Sequence, residues 1–551
     1  MDPNLVTYFA ETDARNKRIK FGIKAKDRLK HVYVIGKTGM GKSTLLENMA
    51  IQDIQNGNGI AFIDPHGGTA EKLLDYIPES RIKDVLYFAP FDLEYPISFN
   101  VIEDIGIDKR HLVVNGLMSA FEKIWVDAWS ARMAYILNNT LLALLEYPGA
   151  TLLGVNRMLS DKEYRKKVVD NVKDPTVRSF WVDEFAKYTD KYAAEATPAI
   201  QNKVGQFTSN PLVRNLVGQP ESSFDIRKFM DEKKILIINL SKGKVGEGNS
   251  NLIGSMLITK IYLAAMSRAD KDETELAKLP NFYLYVDEFQ TFANKSFADI
   301  LSEARKYKLN LTIAHQYIEQ MEEEVRNAVF GNVGTMITFR VGAFDSEVLE
   351  KEFAPTFMAA DLVNLGFAQI YLKLMIDGVS SQPFSAKTIP PIARPETSFR
   401  DAVIKSSREQ FGRPRAIVEK NIIDWHNLGT IREVKSQFQS VSTEQSRPRQ
   451  EDNRQRRTEE PKVDENKQVF LKAKEELHQK EMSMSHLRRQ EMDNKNPNKE
   501  NKASLKDALA SVIKQSNRQE GSSEKIEHKP QKKEESSKNE VPEDVLRDLL
   551  K

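Results

Sequence analysis

Nine consecutive residues, Gly36, Lys37, Thr38, Gly39, Met40, Gly41, Lys42, Ser43 and Thr44, combine glycines that free the backbone with an ammonium and two adjacent hydroxyls. Gly36, Gly41, Lys42 and Ser43 satisfy the spacing G-x-x-x-x-G-K-[ST]. The apolar run 32–35 precedes them and the helical stripe Leu45, Leu46, Met49 follows, which is the strand–loop–helix context the motif requires. Glycines let successive N–H groups turn toward phosphate oxygens, Lys42 neutralises β and γ oxygens, and the Ser43 hydroxyl is a Mg²⁺ ligand. The nine residues are therefore expected to bind ATP with Mg²⁺.

A second constellation ends the apolar run 283–286, where Asp287 and Glu288 reach the carboxyl edge of a sheet. Alone, two acids after a strand are commonplace. Beside a phosphate loop they divide the labour of phosphoryl transfer to water: Asp287 for Mg²⁺, Glu288 to orient and polarise the water. The next run, 311–314, ends in His315 and Gln316, and Gln316 is the candidate sensor of the γ-phosphate. Arg305, in the helix before that run, and Arg340, after the run 335–339, are candidate arginine fingers for a neighbouring subunit. From spacing alone, a surface or intramolecular ion pair is the favoured reading of either arginine. The turn 63–68 carries Asp64 and His66, which could serve the site or simply shape a tight entry into a helix. No His cluster of metal-ligand spacing and no Ser/His/Asp arrangement stands out among the eight histidines.

These groups need a scaffold. Short β-branched runs at 32–35, 60–63, 85–88, 235–240, 283–286, 311–314, 335–339 and 370–374 read as buried parallel strands, which predicts an α/β fold with a mainly parallel sheet. Residues 7–10 and 19–23 predict a hairpin on the sheet edge. Residues 104–232 carry helical stripes and almost no strand signal, so an all-α segment interrupts the sheet domain. Trp125, Trp129 and Trp181 within it are expected in its core rather than as a base-stacking platform. The predicted organisation is 1–103 and 233–394 as two parts of one ATPase domain, 104–232 as the insertion, and 395–551 as a charged, mostly disordered tail. Its helical islands at 469–487, 505–513 and 541–550 are either docking helices or incidental.

The formal net charge of +2 over 551 residues neither demands nor excludes a polyanionic partner. With no cysteine, disulfides, thiolate metal sites and cysteine nucleophiles are excluded together. The first thirty residues lack an apolar segment of signal-peptide type, and no uninterrupted apolar run of about eighteen residues occurs.

In order and spacing, HVYVIGKTGMGKSTLL, the IDPHGG turn, KILIINLSKGKVGE, YLYVDEFQTF, LSEARKYKLNLTIAHQY and NVGTMITFRVG resemble the HerA/FtsK superfamily of ring-forming ATPases, and within it the type IV secretion coupling proteins. The resemblance spans roughly residues 7–392. It implies a RecA-like P-loop NTPase fold, a hexameric homo-oligomer around DNA, and a relaxase, secretion-channel or nuclease partner bound through the tail or helical segment. It assigns Lys42 and Ser43 to ATP and Mg²⁺, Asp287 and Glu288 to Mg²⁺ and water, and Gln316 to sensing. Arg305 becomes the stronger candidate finger in trans and Arg340 the weaker. Many coupling proteins begin with membrane helices that this sequence does not show, so the expected location is cytoplasmic, free or held at the membrane by a partner. ATP-driven DNA movement is the leading expectation; an ATP-gated platform for protein cargo and a nuclease-partner ATPase in repair or defence are the alternatives.

Overall fold

The computed structural model describes residues 2–13, 17–188 and 190–427. Strands β1 (Val6–Thr12) and β2 (Lys20–Lys24) pair antiparallel, and the apolar runs follow as β3 (Val32–Ile35), β4 (Gly59–Asp64), β5 (Val85–Phe88), β6 (Ile235–Asn239), β7 (Phe282–Val286), β8 (Leu309–His315), β9 (Thr335–Thr338) and β10 (Gln369–Lys373). A short ribbon, β11 (Met375–Ile376) with β12 (Val379–Ser380), leads to β13 (Phe384–Thr388). Apart from that ribbon, the strands form one sheet in the order β2-β1-β13-β10-β9-β3-β8-β7-β4-β6-β5.

The seven strands from β9 to β5 run parallel. Those from β3 to β8 are buried on both faces apart from one half-exposed residue of β5, as continuous β-branched runs require. One strand departs from expectation. The apolar run 370–374 predicts a parallel strand, yet β10 lies antiparallel to β9, with Leu372 opposite Ile337. Its burial alternates because here the sheet is covered mainly on one face, the ordinary condition of antiparallel strands. β13, which pairs with both β10 and β1, escaped notice because Phe-Ser-Ala-Lys-Thr has no apolar run.

Arg28 ties the β1–β2 edge to the sheet centre. Fully buried, it donates to Thr7, to Asp53 at 2.9 Å and to the Tyr285 hydroxyl at 2.7 Å, joining β1, α1 (Lys42–Gln55) and β7. A buried guanidinium is tolerable only when paired in this way: both terminal nitrogens are engaged here and the group lies over the Tyr283 ring, while Nε alone has no hydrogen-bond partner.

After β4, α2 (Gly68–Leu73) opens the crossover to β5. The described residues within 104–232 then form helices and no strand, beginning with α3 (Arg110–Ile124). Trp125 and Trp181 are buried: Trp125 stacks on Phe121 with centroids 4.4 Å apart, and Trp181 donates its indole N–H to the Asn139 carbonyl. α3 packs tightly on the helix Glu247–Met266, where a Cβ added at Gly116 would lie 2.2 Å from Thr259 Cγ2. The stretch Glu247–Asp270 is the one helix among the described residues long and apolar enough to cross a membrane, and most of its apolar window is buried inside the fold.

Packing continues past residue 395, where the strand pattern stops. Helix Arg400–Phe411 lies on β5, with Arg408 bound through two nitrogens to Asp92. Residues 415–427 form a further helix whose Val418 and Ile422 pack with Leu153, while Arg157 lies over the rings of Tyr164 and Trp425. A tail starting at 395 is thus corrected to a packed strap through 427. Its sparse apolar residues supply one narrow buried stripe, which composition averages away. The three helical islands lie outside the described residues.

Candidate active site

β3 enters the middle of the sheet between β8 and β9 and delivers Gly36 to the carboxyl edge. The loop is pinned on both sides, because Gly36 N–H donates to the His315 carbonyl and Lys37 N–H to the Arg340 carbonyl at 2.8 Å. Gly39 and Gly41 adopt φ of 77° and 117°, which side chains disfavour, and Gly41 caps α1. Lys37, Thr38, Gly39 and Ser43 are exposed along the rim, Gly41 and Thr44 are half-buried, and Met40 is buried beneath them.

Lys42 is buried, and its Nζ donates to the carbonyls of Gly36 at 2.6 Å and Lys37 at 3.2 Å. The loop curls around its own ammonium, whose hydrogen bonds go to neutral carbonyls, leaving a charge for phosphate oxygens. Burial pushes the Lys42 pKa down, against the attraction of Glu288 and Asp287.

β7 carries Asp287 to the same edge, where Ser43 Oγ donates to Asp287 Oδ2 at 2.8 Å. A cation seated on the hydroxyl would meet this carboxylate directly or through one water, so the pair fits Mg²⁺. Among the described residues no cluster of three or more His, Asp or Glu side chains could hold a metal by itself. Remaining ligands would come from phosphate and water. Burial raises the Asp287 pKa, the Ser43 bond opposes it, and the nearby Glu288 and Asp64 charges add to the rise.

Glu288 sits in left-handed backbone conformation, φ 49° and ψ 50°, which costs a non-glycine residue on the order of 1–3 kcal/mol. The kink turns its carboxylate into a set of donors. Gln290 Nε2 donates to Oε2 at 2.6 Å, Gln316 Nε2 donates to Oε1, and His66 Nε2 lies 3.9 Å from Oε1. Burial alone would raise this carboxyl, but His66, Gln290, Gln316 and the Lys42 charge together hold it at about 2.

Gln316 is the joint of the site. Its Oε1 accepts from Thr38 Oγ1 at 3.0 Å while its Nε2 holds Glu288, so one amide bridges the phosphate loop and the acidic strand. Neighbouring His315 is buried and held neutral, its pKa pushed down to about 3 chiefly by burial; its Nδ1 bonds the Tyr33 hydroxyl at 3.0 Å. In the 63–68 turn the two open readings separate. Asp64 accepts the N–H groups of His66 and Ala70, shaping the entry into α2, whereas His66 points at Glu288, which raises its pKa.

The arginines lie elsewhere. Arg305, exposed, is in the 3₁₀ turn Ala304–Tyr307 before β8 begins, at the sheet edge opposite the phosphate loop. Arg340 follows β9 at the same edge as the loop, its carbonyl engaged with Lys37 and its side chain exposed. The structure therefore gathers Lys42, Ser43, Asp287, Glu288 and Gln316, and leaves Arg305 remote from its own chain's site. Gln290 was missed. Its position in the DEFQ turn was visible, but only the fold shows it reaching back to Glu288.

A central parallel sheet with a phosphate loop between β3 and α1 and an acidic pair ending β7 defines the P-loop NTPase fold. Residues 7–329, more than half of the chain, match the family model for the type IV secretory system conjugative DNA transfer proteins, and the chain belongs to that family. Among solved structures, the plasmid coupling protein TrwB with a non-hydrolysable GTP analogue aligns with a TM-score of 0.52 at 14% identity, covering 72% of this chain and 98% of that one. TrwB with ADP and Mg²⁺ aligns with a TM-score of 0.51 at 13% identity over 72% and 98%. At such identity the likeness is one of fold. Comparison with curated protein sequences gives no match.

Proposed function

We propose that this protein is an ATPase motor for conjugative, type IV secretion-linked DNA transfer, hydrolysing ATP at the interfaces of a ring of identical subunits. The observation that carries the hydrolytic part is the continuous set Thr38–Gln316–Glu288 beside Lys42–Ser43–Asp287. ATP with Mg²⁺ supplies the phosphoanhydride and a cation to balance its charge. Lys42 then offers its ammonium to phosphate oxygens, while Ser43 and Asp287 hold the cation. Glu288, ionised throughout the neutral range, orients water as a hydrogen-bond acceptor. Its weak basicity favours orientation over early proton removal. Gln316, touching both the loop and Glu288, passes any change at Thr38 to the carboxylate.

DNA as substrate rests on family membership, which favours transfer over partnership with a nuclease or a role confined to protein cargo. In a ring we assign Arg305, exposed on the edge away from its own loop, to a neighbour's nucleotide, with Arg340 as the alternative finger. A relaxase or channel partner and a position at the cytoplasmic face of the membrane complete the reading.

The test is ATP turnover with and without DNA at low salt, where phosphate contacts are strongest. Turnover should rise with DNA and with protein concentration, and Lys42→Ala should abolish it. Glu288→Gln should keep ATP bound while turnover falls by ~10²- to 10⁴-fold. Mixing Arg305→Ala with Lys42→Ala subunits should restore part of the activity. Turnover indifferent to DNA would remove the motor, and normal turnover in Glu288→Gln would remove the assignment of that carboxylate.

A further inference from the structure

Glu288 is held by Gln290, but Gln290 belongs to the 3₁₀ turn Phe289–Thr291, and that turn needs its own support. The support comes from the helical segment, 167 residues earlier in the chain. Lys123, in the last turn of α3, donates from Nζ to the Gln290 carbonyl at 2.7 Å and also to the Ala293 carbonyl. Among the described residues no carboxylate lies within ion-pair distance of it. Placing a desolvated ammonium on two carbonyls is a costly way to join two elements, since a neutral side chain could pack there. What the ammonium adds is a short, directional clamp on the turn beside the reacting carboxylate.

We propose that Lys123 is a positioning residue for hydrolysis: by clamping the carbonyls of Gln290 and Ala293 it sets the Glu288–Gln290 turn and makes the water-orienting carboxylate answer to the position of α3. The inference rests on the hydrolytic reading of the site given above. α3 is itself seated on the helix Glu247–Met266 at Gly116, and the Glu122–Lys295 ion pair at 3.5 Å reinforces the same junction. A displacement of the helical segment by a partner or by DNA would thus be felt at Glu288 without any change at the phosphate loop.

The electrostatics supply a distinctive readout. Burial pushes Lys123 down to about 8, only partly offset by Glu322; of the other titratable groups near it, His315 is neutral there and Glu122 pairs with Lys295. The charged form makes the strong clamp, so its contribution to turnover is complete below that value and declines as pH rises through it.

The experiment compares full-length wild type, K123M, K123Q and K123R by steady-state ATP turnover between pH 6.5 and 9.5, with nucleotide affinity measured by binding of an ADP probe. K123M and K123Q should lower kcat by ~10- to 100-fold, the scale of a misplaced catalytic group, with ADP affinity within about twofold of wild type. K123R, which keeps two donors and its charge, should retain most of kcat and lose the alkaline decline. Lys42 is untouched in K123R, so a decline due to Lys42 would persist. Wild-type kcat in both K123M and K123Q, or an alkaline decline unchanged in K123R, overturns the proposal. If Glu288→Gln is inactive while K123M turns over normally, only the role of Lys123 fails; if Glu288→Gln is also normal, the reading of the site fails with it.

Discussion

Glu288 shows how an ordinary acid is specialised by its neighbours. Its left-handed backbone stores strain that a strand end without a task would relax, and its two oxygens are claimed by different amides. Replacing Gln316 with Glu tests that arrangement, because two carboxylates in contact cannot both ionise freely. The pair's apparent pKa should rise, so turnover, which under the proposed role needs Glu288 ionised, should be lost as pH falls through the raised value. Wild type, with Glu288 at about 2, should show no such acid loss between pH 5.5 and 8. A Gln316→Glu profile superimposable on wild type would show that the amide does not govern the carboxylate in solution.

At the scale of elements, the site depends on how closely neighbouring pieces approach. The phosphate loop passes so near β9's end that a Cβ on Gly36 would lie 2.6 Å from Phe339 Cβ, which explains glycine there independently of phosphate. The same logic governs α3 against Glu247–Met266. Gly116→Ala puts a methyl 2.2 Å from Thr259 Cγ2 and should destabilise the protein by about 1–3 kcal/mol, the range of overpacked cores. Adding Thr259→Ala removes the clashing methyl and should recover most of that loss, read as the melting temperature of each single and the double variant. Independent, additive losses would mean that the two helices do not meet at this point.

Over the whole molecule, two buried histidines make stability sensitive to acid. His31, ahead of β3, accepts the Leu311 N–H at Nδ1 and bonds the Leu301 carbonyl through Nε2, and burial lowers it to about 4, as it lowers His315 to about 3. The unfolded chain binds their protons near pH 6.5 and the folded chain does not, so stability is lost as pH falls from 6.5 toward those values. For His31 the loss amounts to roughly 3 kcal/mol. His31→Gln should flatten the dependence of unfolding free energy on pH between 4 and 6.5 by about one proton relative to wild type. An unchanged slope would show His31 protonating within the fold.

The sequence by itself determined which groups are candidates for the reaction, and most of the sheet. The spacing from Gly36 to Ser43 demands a strand before it and a helix after it, and long β-branched runs leave little choice but buried parallel strands. It also marked Asp287, Glu288 and Gln316, because strand ends declare which residues reach one edge. Tertiary structure decided what depends on partners distant along the chain. Gln290 and Lys123 acquire meaning only when a turn and α3 meet beside Glu288, and Asp64 and His66 part ways only when one caps a helix and the other faces the carboxylate. The direction of β10 and the strap at 400–427 were equally hidden, since alternating or sparse apolar residues state that a face is buried without saying against what. Local chemistry is written in spacing, whereas the choice of neighbour follows from packing of the whole chain.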